Sequence, residues 1–131
     1  MIAGIGVDIA EVSRFESMLE RYSDRIVRRI LCEAECEQFE RRNRRASFLA
    51  SRFAAKEALS KALGTGIAKG IGFHSIEVVN DEQGKPELRF YGGAQALIEQ
   101  HGISSALLSL SDEKHYVVAM VVLESACAGY P

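Results

Sequence analysis

Four charged side chains interrupt an otherwise apolar run in the middle of the chain, Ala46 to Leu63. Arg52 and Lys56 are four residues apart, as are Glu57 and Lys61, so each pair shares one face of a helix. Charges are costly in a mostly buried helix unless something pairs them. Two hypotheses follow. The charges form i,i+4 contacts or solvated edges worth about 0.2–0.5 kcal/mol each, or cations here meet phosphate while a carboxylate holds a metal ion.

A second carboxylate, Asp8, lies in a predicted strand from Ile2 to Ile9. Alternation puts the apolar side chains on one face and Gly4, Gly6 and Asp8 on the other. Glycine inside a strand often marks a place where a backbone or a ligand comes close. Asp8 is therefore either a helix N-cap for the segment that follows or part of an open site.

The run from Ala46 to Leu63 is predicted to be the central helix. It is rich in Ala and Leu and contains no Pro, and Gly64 and Gly66 follow it as helix terminators do. Apolar side chains occur nearly all the way round, which is typical of a buried helix.

An amphipathic helix is predicted from Glu11 to about Arg21. Its apolar residues follow helical spacing, while Arg14, Met18 and Arg21 share another side. That stripe is either a solvated face or a docking surface for an acidic helical partner, since arginine gives bidentate contacts to carboxylates.

The remaining pattern predicts a single α+β domain over residues 1–131, with a frayed tail at 125–131. A small, mostly antiparallel sheet is expected to wrap around the central helix, with the Val-rich last strand in a central position. The other predicted helices are 24–31, 33–42 and 94–101, and the other predicted strands are 73–80, 87–91, 103–111 and 115–124. The basic segment Arg41 to Arg45 is expected to be a solvated connector.

Composition limits the class of protein. The net charge is −2, so no general basic field attracts nucleic acid, although the first 52 residues hold ten arginines among acidic residues. The start of the chain lacks a basic leader, and no apolar run approaches the length of a membrane span. Three cysteines are present. An odd count without an export signal predicts reduced thiols and a cytoplasmic protein.

Three segments resemble one family. Gly4-Ile-Gly-Val-Asp-Ile9, Arg52-Phe-Ala-Ala-Lys-Glu-Ala-Leu-Ser-Lys-Ala-Leu-Gly-Thr-Gly66 and Asn80-Asp-Glu-Gln-Gly-Lys-Pro86 are similar to the holo-acyl-carrier-protein synthases, small bacterial 4′-phosphopantetheinyl transferases. The resemblance covers essentially the whole chain in the same order. It implies transfer of phosphopantetheine from coenzyme A to a serine of apo acyl carrier protein, with release of adenosine 3′,5′-bisphosphate, in support of fatty acid biosynthesis. It also implies a homotrimer with active sites at subunit interfaces.

The resemblance further implies roles for particular residues. Asp8 and Glu57 would hold Mg²⁺, which suits one or two carboxylates plus phosphate oxygens. Lys61 and Arg52 would neutralise the diphosphate, and Glu57, or a metal-bound water that it orients, would accept the serine proton. The Arg14, Met18 and Arg21 stripe would meet the carrier protein. The implied coenzyme A contacts are Arg52, Phe53, Lys56, Ser60, Lys61, Gly64, Thr65 and Gly66.

One segment departs from the family pattern, which places a histidine after Ser-x-Ser or Ser-x-Thr. This chain has Ser109-Leu-Ser-Asp112, with His115 three residues later. The sequence does not decide whether His115 or Asp112 replaces the contact that the family histidine makes with the nucleotide. His74 and His101 are expected to be surface or packing residues. Two further hypotheses are a Mg²⁺-dependent phosphohydrolase and a nucleic-acid-binding module, the second disfavoured by an acidic pI of about 5.9.

Overall fold

The order of helices and strands confirms the mixed α+β prediction. The computed structural model describes residues 1–64 and 72–126. Within these residues the elements are β1 (Ile2–Glu11), α1 (Val12–Tyr22), α2 (Asp24–Ile30), α3 (Glu33–Glu40), α4 (Arg45–Leu63), a 3₁₀ turn (Phe73–Ser75), β2 (Ile76–Asn80), β3 (Pro86–Phe90), α5 (Gly92–Gln100), β4 (Ile103–Asp112) and β5 (Tyr116–Ser125).

Two antiparallel sheets surround the central helix. In the larger sheet the strand order is β1-β5-β4, and the smaller sheet is the β2-β3 hairpin. The Val-rich strand β5 is central as predicted, because it pairs with β1 on one side and β4 on the other. Helix α4 packs against β1 and β5. It ends at Gly64, whose φ of 78° is the left-handed conformation that favours glycine.

The glycine face of β1 lies directly against α4. A Cβ atom added at Gly4 would stand 2.2 Å from the Ala62 carbonyl oxygen, and one at Gly6 would stand 2.0 Å from the Ala58 oxygen. The predicted close approach is therefore confirmed, and the neighbour is a helix backbone. This contact brings Asp8, on the same face of the strand, close to the side of α4.

Gly6→Ala is expected to lower the free energy of unfolding by about 3 kcal/mol or more, because the new methyl group meets backbone atoms that cannot rotate away. Gly72→Ala is the matched control, since the nearest atom to its added Cβ is 4.0 Å away. Denaturant unfolding compares the two variants. Equal stability of Gly6→Ala and Gly72→Ala would contradict the close contact.

The opposite face of β1 is exposed although it is apolar. Ile5, Val7 and Ile9 are 62%, 56% and 64% exposed. The register puts Val7 beside Met120 and Ile5 in line with Leu107 through β5, and both neighbours are exposed. Soluble monomers rarely expose several neighbouring large aliphatic side chains of this kind.

Several predicted boundaries were wrong. The strand predicted at 73–80 begins only at Ile76, because the three residues before it form the 3₁₀ turn. Strand β5 extends to Ser125, whose N–H donates to the Met1 carbonyl at 2.8 Å, so Ser125 belongs to the sheet and not to a frayed tail. Residues 127–131 lie outside the described residues. None of the helices in the described ranges is long and apolar enough to cross a membrane.

Candidate active site

Asp8 and Lys61 form an ion pair between β1 and α4. The Lys61 ammonium lies 2.9 Å from the Asp8 carboxylate and also donates to the Val7 carbonyl at 3.1 Å. The N-cap hypothesis for Asp8 was wrong: Glu11 precedes α1, and no side-chain hydrogen bond caps that helix in the described part of the chain. The Asp8 side chain is 15% exposed and that of Lys61 is 53% exposed, so the pair lies where the strand and helix meet solvent.

Glu57 shares this site. It lies one turn before Lys61 on α4, where burial, followed by repulsion from Asp8, raises the pKa of its carboxyl group. The positive charges of Lys61 and Arg14 act in the opposite direction. The structure thus brings Asp8, Glu57 and Lys61 within electrostatic range of one another.

The acidic pair fits one kind of metal ion. No cluster of three or more His, Cys, Asp or Glu residues able to hold a metal occurs within residues 1–64 and 72–126, which argues against a zinc-type cage. Mg²⁺ needs only one or two carboxylates, because it keeps several waters and binds substrate phosphate oxygens. Asp8 and Glu57 repel each other, and a divalent cation between them would relieve that repulsion.

Arg52 lines a basic cavity at the other end of α4. The side chain is buried, its guanidinium carbon lies 4.2 Å from the centre of the Phe48 ring, and one nitrogen donates to the Ser51 hydroxyl at 3.0 Å. The other two guanidinium nitrogens are buried without a hydrogen-bond partner in the described chain. Burial lowers the Arg52 pKa to about 10, so the group stays cationic at neutral pH. Free donors on a buried cation are suited to an anion.

The cavity has a volume of about 440 Å³, and its mouth carries further charges from the connector before α4. Arg41, Arg42 and Arg44 line it together with Asp112. These arginines were predicted to be a solvated connector, and they are indeed exposed, yet they also form one wall of this space. Asp112, from the segment that departs from the family pattern, lies 3.5 Å from the Ser47 hydroxyl. His115 is exposed, and its carbonyl accepts the N–H of Val12.

Lys56 has a different environment from the one predicted. Its side chain is fully buried, and its ammonium lies 2.7 Å from the Glu35 carboxylate. The ammonium also donates to the Ile30 carbonyl at 2.7 Å and the Phe73 carbonyl at 3.0 Å. An ammonium has three N–H donors, and these three acceptors can use all of them, which weighs against the predicted contact between Lys56 and coenzyme A.

The i,i+4 hypothesis for the charges of α4 was also wrong. Lys61 pairs with β1 and Lys56 with α3, and the ion pairs found in the described residues do not include one between Glu57 and Lys61. Lys56 and Lys61 therefore connect the helix to its neighbours in the fold.

Glu35 was not among the residues predicted from the sequence. Its carboxylate is fully buried, and besides Lys56 it accepts the N–H of Cys32 at 2.8 Å and the N–H of Val78 at 2.9 Å. One side chain thereby joins α3, α4 and β2. The available cue was the position of Glu35 three residues after the N-cap residue Cys32, as in a capping box.

The other predicted coenzyme A contacts have varied surroundings. The Phe53 ring packs between Phe15 and Phe73, with centroids 5.2 and 5.6 Å away. The buried hydroxyl of Ser60 donates to the Glu57 carbonyl at 2.9 Å. Gly64 is exposed at the end of α4. The predictions for Thr65 and Gly66 lie outside the described residues.

The predicted docking stripe is partly as expected. Arg14 and Arg21 are exposed on α1, whereas Met18 is half-buried and packs against the core. Of the histidines without a predicted role, His101 is exposed where α5 ends, and His74 contacts the Arg28 carbonyl.

Comparison with known proteins identifies the family. The family model of the 4′-phosphopantetheinyl transferase superfamily matches residues 4–121. The chain belongs to the 4′-phosphopantetheinyl transferase superfamily. It is 50% identical to a holo-[acyl-carrier-protein] synthase of Photorhabdus laumondii, over 94% of this chain and 98% of the relative. A synthase of the same name from Klebsiella pneumoniae is 48% identical over 95% of this chain and 98% of its own length. As a phosphopantetheinyl transferase of this type, the protein is an enzyme.

Solved structures confirm the phosphopantetheinyl transferase fold. The synthase from Neisseria meningitidis superposes with a TM-score of 0.90 at 39% identity, covering 95% of this chain and all (100%) of that one. A Bacillus anthracis synthase in complex with CoA (3′,5′-ADP) gives a TM-score of 0.80 at 44% identity, covering 96% and 99%. Family membership favours group transfer over the phosphohydrolase and nucleic-acid hypotheses.

Proposed function

We propose that this protein transfers 4′-phosphopantetheine from coenzyme A to a serine hydroxyl of an apo acyl carrier protein. Its relatives are named for that reaction. The Bacillus anthracis structure is a complex with CoA (3′,5′-ADP), and the Helicobacter pylori synthase, at 28% identity and a TM-score of 0.81, is a complex with coenzyme A. The observation that best supports the proposal is that Asp8, Glu57 and Lys61 lie close together where β1 meets α4.

The transfer exchanges the phosphoanhydride bond of coenzyme A for a phosphate ester bond to serine. The serine oxygen attacks the phosphorus that carries pantetheine, and the bond from that phosphorus to the bridging oxygen of the diphosphate breaks. The bridging oxygen leaves with its electron pair as part of adenosine 3′,5′-bisphosphate. Positioning and charge neutralisation are the main demands of such a step.

Glu57 is the proposed proton acceptor for the serine hydroxyl. Its carboxylate lies one turn before Lys61 on α4 and within electrostatic range of Asp8, so it belongs to the same site as the groups proposed to act on the phosphate. Lys61 is the proposed cation for the transferred phosphoryl group. Its ammonium is half exposed and already oriented by Asp8 and the Val7 carbonyl, so little reorganisation is needed when charge develops.

Mg²⁺ is the proposed cofactor, held by Asp8 and Glu57. When bound, it would act as a Lewis acid toward the diphosphate oxygens. The donor set supports this choice, because two carboxylates without nitrogen or sulfur ligands suit a hard cation that takes its other ligands from water and substrate.

Arg52 is the proposed contact for a phosphate of coenzyme A in the basic cavity. The support is its pair of buried, unpartnered nitrogens beside three further arginines. Ser60, Gly64, Thr65 and Gly66 remain predicted contacts on the strength of the family motif alone.

A homotrimer is the proposed assembly, with active sites at the subunit interfaces. The exposed apolar face of the larger sheet, including Ile5, Val7 and Ile9, supports an interface there, since exposure of several large aliphatic side chains is costly in a free monomer. The proposed location is the cytoplasm, in support of fatty acid biosynthesis. Free thiols at Cys32 and Cys36 agree with a reducing compartment.

Intact-mass spectrometry of a carrier protein tests the proposed reaction. The protein is incubated with coenzyme A, Mg²⁺ and an apo acyl carrier protein, and the carrier is expected to gain the mass of one phosphopantetheine group. A carrier whose acceptor serine is replaced by alanine is the control. Cleavage of coenzyme A without any gain in carrier mass would contradict transfer and favour the hydrolase.

Reversal of the stripe charges tests the docking role. Arg14→Glu with Arg21→Glu is expected to raise the KM for the carrier protein about tenfold or more, because like charges would oppose its acidic helix. The KM for coenzyme A should change by less than about twofold. Arg89→Glu, at an exposed position of β3, is the matched control. Equal changes in both KM values would contradict a docking role.

A further inference from the structure

Two phenylalanine rings hold the side chain of Arg14. Its guanidinium carbon lies 5.6 Å from the centre of the Phe15 ring and 5.5 Å from the centre of the Phe53 ring. The two ring centroids are 5.2 Å apart and tilted by 57°. Arg14 and Phe15 belong to α1, whereas Phe53 belongs to α4, so the contact spans two helices. A cation within about 6 Å of a ring centroid is attracted by the face of the ring.

The rings themselves are held firmly. Phe15 is fully buried, and Phe53 is half-buried in contact with Phe73, with centroids 5.6 Å apart. Arg14, in contrast, is exposed. It takes part in none of the ion pairs among the described residues. Its orientation in the free protein therefore depends on these aromatic contacts. A long side chain that is already oriented loses less conformational freedom when a partner binds.

We propose that Phe53 is a positioning residue for the carrier protein, which acts by holding Arg14 in its docking orientation. The inference rests on the docking role proposed for Arg14, and it assigns Phe53 a role other than the coenzyme A contact that its motif predicts. Through Phe53 the central helix contacts the docking arginine.

Phe53 also lies close to the candidate active site along α4. Phe53 and Glu57 are four residues apart on α4, on one side of the helix. Phe53 therefore lies on the side of α4 that carries Glu57 of the candidate active site, and its ring contacts Arg14 of the docking stripe.

Steady-state kinetics of three variants tests the inference. Phe53→Leu keeps an apolar side chain but removes the aromatic face, and it is expected to raise the KM for apo acyl carrier protein about three- to fivefold. The KM for coenzyme A should stay within about twofold of the wild-type value. Phe53→Tyr keeps the ring and should restore the carrier KM. A KM, unlike an apparent kcat, does not depend on how much of the enzyme is folded.

Phe39→Leu is the matched control. Phe39 carries a similar contact, because the Arg45 guanidinium carbon lies 5.5 Å from its ring centre and a second phenylalanine, Phe48, packs 6.3 Å away. This contact is not part of the docking stripe. Phe39→Leu should thus lower stability while leaving the carrier KM unchanged. An equal rise in carrier KM in both leucine variants would overturn the inference.

A double-mutant cycle completes the test. In an Arg14→Ala background, the effect of Phe53→Leu on the carrier KM should vanish, since the ring then has no guanidinium to hold. If that effect persists, or if Phe53→Leu raises the KM for coenzyme A instead, the inference is overturned while docking through Arg14 is retained. If Arg14→Ala alone leaves the carrier KM unchanged, the docking proposal fails and the inference fails with it.

Discussion

Replacement of Lys56 by methionine is expected to lower the free energy of unfolding by about 3–5 kcal/mol, because it leaves the Glu35 carboxylate buried without its cation. Methionine keeps most of the volume of the lysine stem, so a cavity adds little. The Ile30 and Phe73 carbonyls would lose their shared donor as well. Denaturant unfolding, followed by circular dichroism, measures the loss.

Lys61→Met provides a control on the same helix. The Lys61 side chain is 53% exposed and pairs with Asp8 at the surface, so its removal should cost less than about 1 kcal/mol. If Lys56→Met were as stable as Lys61→Met, the buried pair would not hold these elements together.

The second large expected effect is loss of transfer without loss of fold. Asp8→Asn and Glu57→Gln are each expected to reduce kcat about 1000-fold, because each removes a negative charge from the site proposed for Mg²⁺ and, in Glu57→Gln, the proposed proton acceptor. Both substitutions nearly preserve shape, and the ion pair with Lys61 that Asp8→Asn loses is partly exposed, so its loss should cost less than about 1 kcal/mol. The assay is the rate of holo carrier protein formation at saturating coenzyme A.

Glu87→Gln is the matched control for these two variants, since Glu87 is an exposed carboxylate on β3. It should retain full activity. Near-normal turnover in Asp8→Asn or in Glu57→Gln at ordinary Mg²⁺ concentrations would refute the catalytic assignment of that residue.

The sequence predicted local structure where local chemistry determines it. The Ala- and Leu-rich run without Pro became α4, and Gly64 ended it in a left-handed conformation. The glycines of β1 predicted a close approach that the structure contains. The helix and its end depend on residues that are neighbours in the chain. The close approach follows from the small size of glycine. Neither prediction therefore needed knowledge of the whole fold.

The sequence did not predict which face of β1 would be buried. Alternation separates the glycines from Ile5, Val7 and Ile9, and apolar side chains ordinarily face the core. Here the helix packs so closely that only glycine fits beneath it, and the aliphatic face points outward. A pattern of hydrophobic residues does not distinguish side chains that face the core from side chains that face outward.

The residues that pair with the charged side chains of α4 also could not be predicted from the local sequence. From the sequence, Lys56 was predicted to contact coenzyme A, and its partner Glu35 was given no role. Their burial depends on how α2, α3 and β2 meet above the central helix. The convergence of Asp8 with Glu57 likewise depends on the contact between β1 and α4 and not on any spacing within the sequence.

Mn²⁺ binding is the most direct test of the proposal that Asp8 and Glu57 hold one divalent ion together. Mn²⁺ favours the same oxygen ligands as Mg²⁺, and its free concentration is measured by electron paramagnetic resonance during titration of the protein with coenzyme A present. Asp8→Asn and Glu57→Gln are each expected to weaken binding about tenfold or more, whereas Glu87→Gln should bind as the wild type does. Unchanged Mn²⁺ affinity in either active-site variant would contradict a shared metal site.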